Sequence, residues 1–332
     1  YYRTVFSFGQ PILENANQTM VFKRSDVPGA ADGGNKFDLD AWNDGHFGFW
    51  RGLIQHARSK GIVVQLCILD SWHNKHFKSK PRQWDLKFDF YAGANNINGV
   101  DADSEDAWHS TDPQSPVWKR HTRMIQEVVD RLGDQPNIVW EVSNEPRPYY
   151  DGTDAKVAGK TTNDWAVQLG RYLKAYEART RGCNHLCVGI DLPDHQHTAG
   201  QRPDWYLTPA EEKDGHTPAG AHRDLTGQVR AMKLPQPLIS DNDAARSGLD
   251  VTGVRQKGWA VLTAGGHTSY FDFQMSDLET VRSSSVVEGM KYLGFVPQFI
   301  KALSVNLRGM VPSDELVSNG WCLARAGEEY VI

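Results

Sequence analysis

Residues 138–146 hold the side chains of this chain best suited to chemistry. The apolar, β-rich part of this run ends abruptly in Asn144, Glu145 and Pro146, which predicts a buried strand closed by a breaker. A carboxylate at the tip of a buried strand costs free energy unless it is hydrogen-bonded or used. Glu145 is therefore a candidate catalytic acid, and the amide of Asn144 can donate a hydrogen bond to a bound ligand.

The composition excludes several classes of function. The chain has 332 residues, a formal net charge of −5 and a pI near 6.2, so it carries no basic footprint for nucleic acid. It has no run of 18 apolar residues, which excludes a membrane-spanning helix, and no signal peptide is visible. The four cysteines do not suggest a disulfide framework, and we predict free, mostly buried thiols.

Apolar strand-like runs alternate with amphipathic segments along the chain, which predicts a parallel sheet with helices outside it. The stretch 71–116 is too long for an ordinary connection, so we expect it to be functional. The predicted strands are 1–8, 62–69, 138–146, 185–192, a short one near 205–208 or 216–221, 237–240, and the region from 259 onward. The predicted helices are 39–60, 117–132 with Gly133 as C-cap, 164–181 with Asp164 as N-cap, and 286–303, and the tail 321–332 is predicted to form a hairpin that turns at Gly327.

Residues 138–146 resemble the strand-4 signature of the clan A glycoside hydrolases, especially the family 5 cellulase-like enzymes. The tail 319–331, with Gly265, Gly266 and Tyr270, also resembles the apiosidase-like relatives of that family, which join a barrel to a small C-terminal β-domain. The resemblance implies an α/β fold, a (β/α)8 TIM barrel. It also implies Glu145 as general acid/base and Asn144 as a contact to the sugar 2-hydroxyl.

If residues 138–146 correspond to barrel strand 4, the other predicted strands can be assigned to barrel strands in chain order. The run 1–8 becomes strand 2 and the region from 259 onward becomes strand 8, so strand 1 is absent from this chain. A shifted count with eight strands would need one more apolar run. We expect a barrel catalytic domain over 1–304 and the start of a C-terminal β-rich appendage over 305–332.

Arg3 and Glu141 are expected to lie inside the barrel. Family 5 enzymes carry an arginine on strand 2 near the catalytic carboxylates, and Arg3 stands in the matching strand. Glu141 lies four residues before Glu145 on the same strand face, so it points inward, and Arg3 is the obvious partner. A buried ion pair and a direct role of Arg3 are compatible, since a guanidinium keeps neighbouring carboxylates ionised.

A retaining glycosidase needs a second carboxylate about 5 Å from the first. In the family it is a glutamate at the end of strand 7, whereas this chain has Asp241, Asn242 and Asp243 there. Asp241, or else Asp243, could be the nucleophile of a retaining enzyme. An inverting enzyme would use an aspartate as general base at about 6.5–9.5 Å, and a barrel that has lost hydrolysis would keep only sugar binding. We favour the first interpretation, and Asp241 ranks first because it is nearest the strand end.

The other strand ends predict the walls of a sugar site. The pair Gly265 and Gly266 would allow close approach of the backbone under a ligand. Flat aromatic rings and histidines suit sugar faces and hydroxyls. The expected substrate contacts, besides Asn144 and Arg3, are Trp72, His73, Tyr149, His197, His267 and Tyr270.

The resemblance implies a carbohydrate substrate, polysaccharide or oligosaccharide, with no cofactor and no metal. It also implies a monomer in an extracellular or periplasmic location. One rival is a catalytically impaired carbohydrate-binding barrel. The other is a metal-dependent barrel hydrolase, because a His-x-His motif can hold a metal; its ligands would be Asp70, His73, His195 and His197.

Overall fold

The computed structural model describes residues 2–5, 20–70, 89–144, 155–188, 206–209, 217–231, 238–240, 251–268 and 284–332. The chain divides into two compact units, Arg3–Thr198 and Tyr1–Tyr2 together with Ala199–Ile332. In each unit strands and helices alternate, as predicted for an α/β fold.

The first unit contains a parallel sheet and a separate hairpin. Its elements are β1 (Tyr2–Val5), β2 (Phe22–Pro28), β3 (Asn35–Trp42), α1 (Asp44–Ser59), β4 (Val64–Asp70), α2 (Glu105–Trp108), α3 (Pro116–Leu132), β5 (Ile138–Asn144), α4 (Ala155–Arg181) and β6 (Cys187–Val188). Strands β1, β4, β5 and β6 lie side by side in that order, and β5 pairs in parallel with both β4 and β6. Strands β2 and β3 form the antiparallel hairpin.

The second unit contains a parallel sheet and a small antiparallel sheet. Its elements are β7 (Tyr206–Pro209), α5 (Pro218–Ala231), β8 (Leu238–Ser240), α6 (Val251–Thr263), β9 (Gly266–Thr268), α7 (Ser284–Ala302), β10 (Val311–Pro312), a 3-10 helix (Asp314–Leu316), β11 (Leu323–Arg325) and β12 (Glu329–Val331). Strand β8 lies between β7 and β9, parallel to both. Strand β11 lies between β10 and β12, antiparallel to both.

Strands β4 and β5 are buried on both faces. One face carries Leu66, Ile68, Trp140 and Val142, none more than 2% exposed, and helices α3 and α4 pack against these strands. Burial on both faces is typical of parallel strands that are covered by helices. The opposite face is partly polar, and it is described below.

The residues at both ends of helix α3 explain where the helix begins and ends. Ser115 accepts a hydrogen bond from the Trp118 N–H and Pro116 occupies the first turn, where the missing N–H of proline costs nothing. At the other end the Gly133 N–H donates to the Val129 carbonyl at 2.9 Å. A Cβ at Gly133 would lie 2.6 Å from that oxygen, so the predicted glycine cap is confirmed.

Several predicted elements are confirmed. Strand β4 matches the run 62–69, helix α7 matches 286–303, and β7 selects the first of the two positions offered for a short strand. The tail forms the predicted hairpin, whose turn places Gly327 at φ +82°, a conformation that favours glycine. The tail also pairs with a third strand, β10, which the sequence analysis does not predict.

Three predicted boundaries are wrong. Leu39 belongs to β3, and α1 begins only after Asn43, whose side chain accepts from the Gly45 N–H. Asp164 lies inside α4 and does not cap it. Trp259 lies in α6, where its ring contacts Phe299 of α7 at 5.2 Å. The short apolar run after Trp259 does not distinguish a strand from a helix, because both bury such runs.

The apolar pattern of the sequence does not predict the β2–β3 hairpin or the ordered structure of residues 89–115. The buried Asn96 organises this stretch: its Nδ2 group donates to the carbonyls of Phe90, Ala92 and Val100, and its Oδ1 atom accepts from two backbone N–H groups. A backbone bridge joins Asn96 to Phe37 of β3. In this stretch side-chain amides satisfy the backbone hydrogen-bonding groups that are paired within helices and strands elsewhere.

Two predictions from composition are tested by the structure. All four cysteines lie in the described ranges and are free thiols, with Cys183 half-buried and the other three buried, as predicted. Among the helices described, none combines the length and the apolar character needed to cross a membrane.

Candidate active site

The carboxyl ends of β4 and β5 lie together. Their final residues, Asp70 and Asn144, are partners in the parallel ladder. Glu145 follows Asn144 directly in the chain, although Glu145 itself lies outside the described residues. Carboxyl ends of parallel strands are where α/β folds place their ligands, so the predicted acid follows a strand end of the right kind.

Strands β4 and β5 share a partly polar face that extends to their carboxyl ends. Gln65 and Cys67 on β4, and Glu141 and Ser143 on β5, alternate with the apolar residues of the other face. Glu141 is only 5% exposed, and its Oε2 atom accepts a hydrogen bond of 2.7 Å from Gln65 Nε2.

The neighbouring residue of β5 uses the opposite face. The indole N–H of Trp140 donates to Glu177 Oε1 of α4 at 2.7 Å. Burial alone would raise the pKa of the Glu177 carboxyl, but hydrogen bonds from His185 and Trp140 bring this pKa below its ordinary value. A fully buried carboxylate thus anchors α4 to the outer face of β5.

Glu177, Cys183 and His185 form the group of described residues that could hold a metal ion. His185 Nδ1 lies 2.6 Å from Glu177 Oε1 and 3.8 Å from Cys183 Sγ. The other ring nitrogen, Nε2, faces the Gln135 carbonyl at 3.1 Å, and Lys174 Nζ lies 3.7 Å from Glu177 Oε2. Because the carboxylate is already satisfied by donors and lies beside an ammonium group, this cluster is best explained as a structural anchor.

The strand ends of the second unit bring His267 next to β8. Ser240, the last residue of β8, pairs with Thr268, and Ile239 pairs with His267. Asp241 therefore follows a strand end beside β9. The His267 side chain is exposed, which suits a substrate contact, and that role remains a prediction.

Gly265 and Gly266 have a packing role at the junction of α6 and β9, and their predicted place under a ligand stays a prediction. A Cβ at Gly266 would lie 2.6 Å from Leu225 and 3.3 Å from Val261. Gly265 adopts φ +80° where α6 ends. The pair lets the chain turn from α6 into β9 under the side chain of Leu225.

The structure describes few of the predicted site side chains. Arg3 lies in β1 and Asn144 in β5, with only their backbones described, so the pairing of Arg3 with Glu141 stays a prediction. The predicted residues outside the described ranges are Glu145, Asp241, Asp243, Trp72, His73, Tyr149, His195, His197 and Tyr270. Gln65 was missed, although a single polar residue in the apolar run 62–69 is a signal that could have revealed it.

Comparisons with known proteins support the class of protein expected from the sequence. No family model matches the chain. Over 133 residues it is 28% identical to a rice (Oryza sativa subsp. japonica) protein, mannan endo-1,4-beta-mannosidase 4, a match that covers 38% of this chain and 26% of the relative. The class of protein that the chain resembles is therefore the glycoside hydrolases.

Two solved structures from Bacteroides vulgatus are similar to the chain. A candidate glycoside hydrolase matches with a TM-score of 0.50 at 13% identity, over 90% of this chain and 51% of that one. A family 5 glycoside hydrolase matches with a TM-score of 0.49 at 13% identity, over 84% of this chain and 58% of that one. At such identities the first match bears on the fold alone. The chain spans about a quarter of the rice protein and about half of these structures.

Proposed function

We propose that this chain is the catalytic part of a glycosidase that cleaves O-glycosidic bonds in a polysaccharide or oligosaccharide. The observation that carries the proposal is the end of β5. Its last residue pairs with the last residue of β4, its polar face buries Glu141, and the next residue in the chain is Glu145. A carboxylic acid placed there meets the requirement for a general acid at a barrel mouth.

The fold we infer around this site is a (β/α)8 barrel. The strand order supports this inference: β1, β4, β5 and β6 are neighbours in one unit, with β5 parallel to β4 and β6, and β8 of the other unit is parallel to β7 and β9. The antiparallel sheet β10–β12 would begin the C-terminal appendage, over 305–332.

The mechanism we infer uses two carboxyl groups. Glu145 donates its proton to the leaving glycosidic oxygen while Asp241 attacks the anomeric carbon, so the bond to the leaving group breaks and a glycosyl ester forms. Glu145, now a carboxylate, takes a proton from water, and the resulting hydroxide displaces Asp241 to release the sugar. Asn144 would bind the sugar 2-hydroxyl, where hydrogen bonds strengthen in the transition state.

A β-1,4-mannan is the first substrate to test, because the rice relative is named as an endo-acting mannosidase. Other β-1,4-linked polysaccharides and aryl glycosides complete the panel. We also infer a monomer that acts outside the cytoplasm, as the resemblance implies, and its oligomeric state can be read from light scattering of the purified protein.

The decisive experiment replaces the acid. Glu145→Gln should lower the release of reducing ends by about 10²–10⁴-fold, since general acid catalysis contributes that much. The matched control is Glu127→Gln on α3, which removes a carboxylate that pairs with Arg131 and is not among the proposed site residues. Unchanged hydrolysis by Glu145→Gln would contradict the proposed role. A wild-type chain that binds sugars but cleaves none of the panel would support the carbohydrate-binding alternative.

A further inference from the structure

A buried histidine of α5 contacts the segment that leads into the C-terminal sheet. His222 is 3% exposed, and its ring stacks on the indole of Trp321, with the centroids 4.7 Å apart and the planes at 12°. Trp321 lies just before β11, the central strand of the sheet β10–β12. Stacked aromatic rings bury apolar surface and attract each other beyond that burial. The stack therefore ties α5 to the C-terminal sheet.

The same histidine faces a carboxylate without bonding to it. Its Nε2 atom lies 3.6 Å from Asp314 Oδ1, which is longer than a hydrogen bond. Nε2 has no hydrogen-bond partner among the residues that the structure describes. Asp314 Oδ1 instead accepts a hydrogen bond of 2.9 Å from the Cys322 N–H. The ring thus brings a buried, unsatisfied nitrogen to the contact between α5 and the sheet.

Arg230 places a positive charge near this contact. It lies further along α5, and its Nη2 atom donates to the Pro312 carbonyl of β10 at 3.2 Å and lies 3.5 Å from Glu315 Oε2. In the described part of the chain, the charges that act on the His222 ring are those of Asp314 and Arg230. One of them attracts a proton to the ring and the other repels it.

The surroundings as a whole favour the neutral ring. Burial has the largest effect and opposes a positive charge on His222; Asp314 favours the charge, Arg230 opposes it and the Thr263 backbone favours it, and the balance lowers the pKa of His222 below the ordinary 6.5. The Cys322 thiol adds no charge near neutral pH, because burial raises its pKa. Between the two pKa values of the imidazole, a ring in water is protonated while the buried ring is neutral.

We propose that His222, Asp314 and Trp321 form a proton-sensitive clasp, which holds the C-terminal sheet on α5 while His222 is neutral and lets the sheet open more often in acid. Opening exposes the imidazole to water, where it binds a proton that the closed contact disfavours, so acid stabilises the open form. The closed form still predominates, because Leu323 of the sheet shares a buried cluster with Leu262 of α6. The clasp is independent of the proposed glycosidase activity.

Hydrogen exchange of the whole chain measures this opening directly. The reporter is the peptide 321–332, with exchange rates corrected for the intrinsic effect of pH. As the pH falls below 6.5, opening should increase by up to about tenfold per pH unit, because opening takes up one proton. The increase should level off once the closed form is protonated as well. Equal corrected exchange at about pH 7.5 and about pH 5 would overturn the clasp.

Replacement of the histidine tests which group takes up the proton. His222→Gln should make the corrected exchange of 321–332 nearly independent of pH. His56→Gln is the matched control, because it removes an exposed histidine of α1 and should keep the wild-type pH dependence. If His222→Gln does not fold, His222→Phe keeps a flat ring without a titrating nitrogen, and the same comparison applies. A wild-type pH dependence in either variant would refute the role of His222.

Asp314→Asn tests the carboxylate of the clasp. The amide oxygen keeps an acceptor for the Cys322 N–H, whereas the negative charge that favours the protonated ring in the closed form is lost. The increase in opening should therefore begin at the same pH, near 6.5, and continue to a lower pH before it levels off. A plateau at the wild-type pH would show that Asp314 has no part in the clasp.

Discussion

Asp241 and Asp243 are the residues on which the type of mechanism depends. They are two residues apart, so a continued strand would present both on one side, and an aspartate is one methylene shorter than the family glutamate. We expect Asp241→Asn to lower kcat by at least about 10³-fold and Asp243→Asn by about tenfold. Steady-state kinetics on the preferred substrate checks the ranking. Retention of the anomeric configuration, followed by NMR of the first product, tests Asp241 as the nucleophile.

His121 lies in a different environment, a buried aromatic cluster of the first unit. Its ring lies 4.8 Å from Trp108, 5.3 Å from Tyr91 and 5.5 Å from Trp165. Burial, with a smaller contribution from the nearby His109, lowers the pKa of His121 from 6.5 to about 3. The folded protein therefore holds this imidazole neutral over a range in which the unfolded chain protonates it.

This difference sets the sign of a pH dependence. Between pH 6.5 and about 3 the unfolded chain binds the extra proton, so the free energy of unfolding should decrease as the pH falls. The aromatic replacement His121→Phe cannot bind a proton and should show a shallower loss over the same range. Urea unfolding at a series of pH values measures both slopes, and parallel slopes would exclude His121 as the titrating group.

At the scale of elements, the described loop 89–115 depends on one amide. Asn96 makes five hydrogen bonds to backbone groups while 4% exposed. Asn96→Ala leaves buried carbonyls and N–H groups without partners, which costs about 1–3 kcal/mol for each group left unsatisfied. We expect a loss of at least about 3 kcal/mol in the free energy of unfolding.

Protease sensitivity localises the effect. Limited proteolysis of Asn96→Ala should cut near this loop before the rest of the first unit. Asn98 is the matched control, because one of its contacts is to Asp40 at the exposed surface, so Asn98→Ala should cost less. Equal losses in the two variants would contradict the central role given to Asn96.

The sequence predicts the regular elements well and the irregular ones poorly, for physical reasons. Helix α3 is predicted by its cap residues and its apolar periodicity, and strand β4 is predicted by an apolar run between breakers. The run after Trp259 is ambiguous because helix and strand both bury short apolar runs. The ordered loop around Asn96 cannot be predicted from the sequence, because buried side-chain amides hold it together. A polar residue in the sequence does not reveal whether it is buried or exposed to solvent. Of the candidate site, the sequence singles out Glu145 and Glu141, whereas the Gln65 contact needs the register of β4 against β5.

At the scale of the whole molecule, the small C-terminal sheet is bound to the rest of its unit through a shared core. Leu323 and Val331 belong to one buried cluster with Leu262 of α6 and Val296 of α7. The His222 ring of α5 also stacks on Trp321 at 4.7 Å and 12°. The predicted boundary at 304 therefore separates segments that bury each other's apolar surface.

Truncation tests this coupling. A chain ended after residue 304 should lose about 5 kcal/mol or more of unfolding free energy, since each fully buried aliphatic side chain contributes about 1.5–3 kcal/mol. Removal of Ile332 alone is the control, because this residue is 77% exposed and should be neutral. Urea unfolding of the two shortened chains gives the comparison. A fully stable chain ended at 304 would show that the sheet folds independently.

Strand β5 has one further consequence, for folding fidelity. Its consecutive residues Trp140 and Glu141 serve opposite faces, the indole bonded to Glu177 and the carboxylate to Gln65. If β5 slipped by one residue against β4, every side chain would exchange faces. The Glu141 carboxylate would then face the helices and the Trp140 indole would lie on the polar face. Both hydrogen bonds would be lost, so the slipped pairing would be disfavoured on both faces of the strand. Trp140 and Glu141 thus fix the register of the strand that precedes the candidate acid.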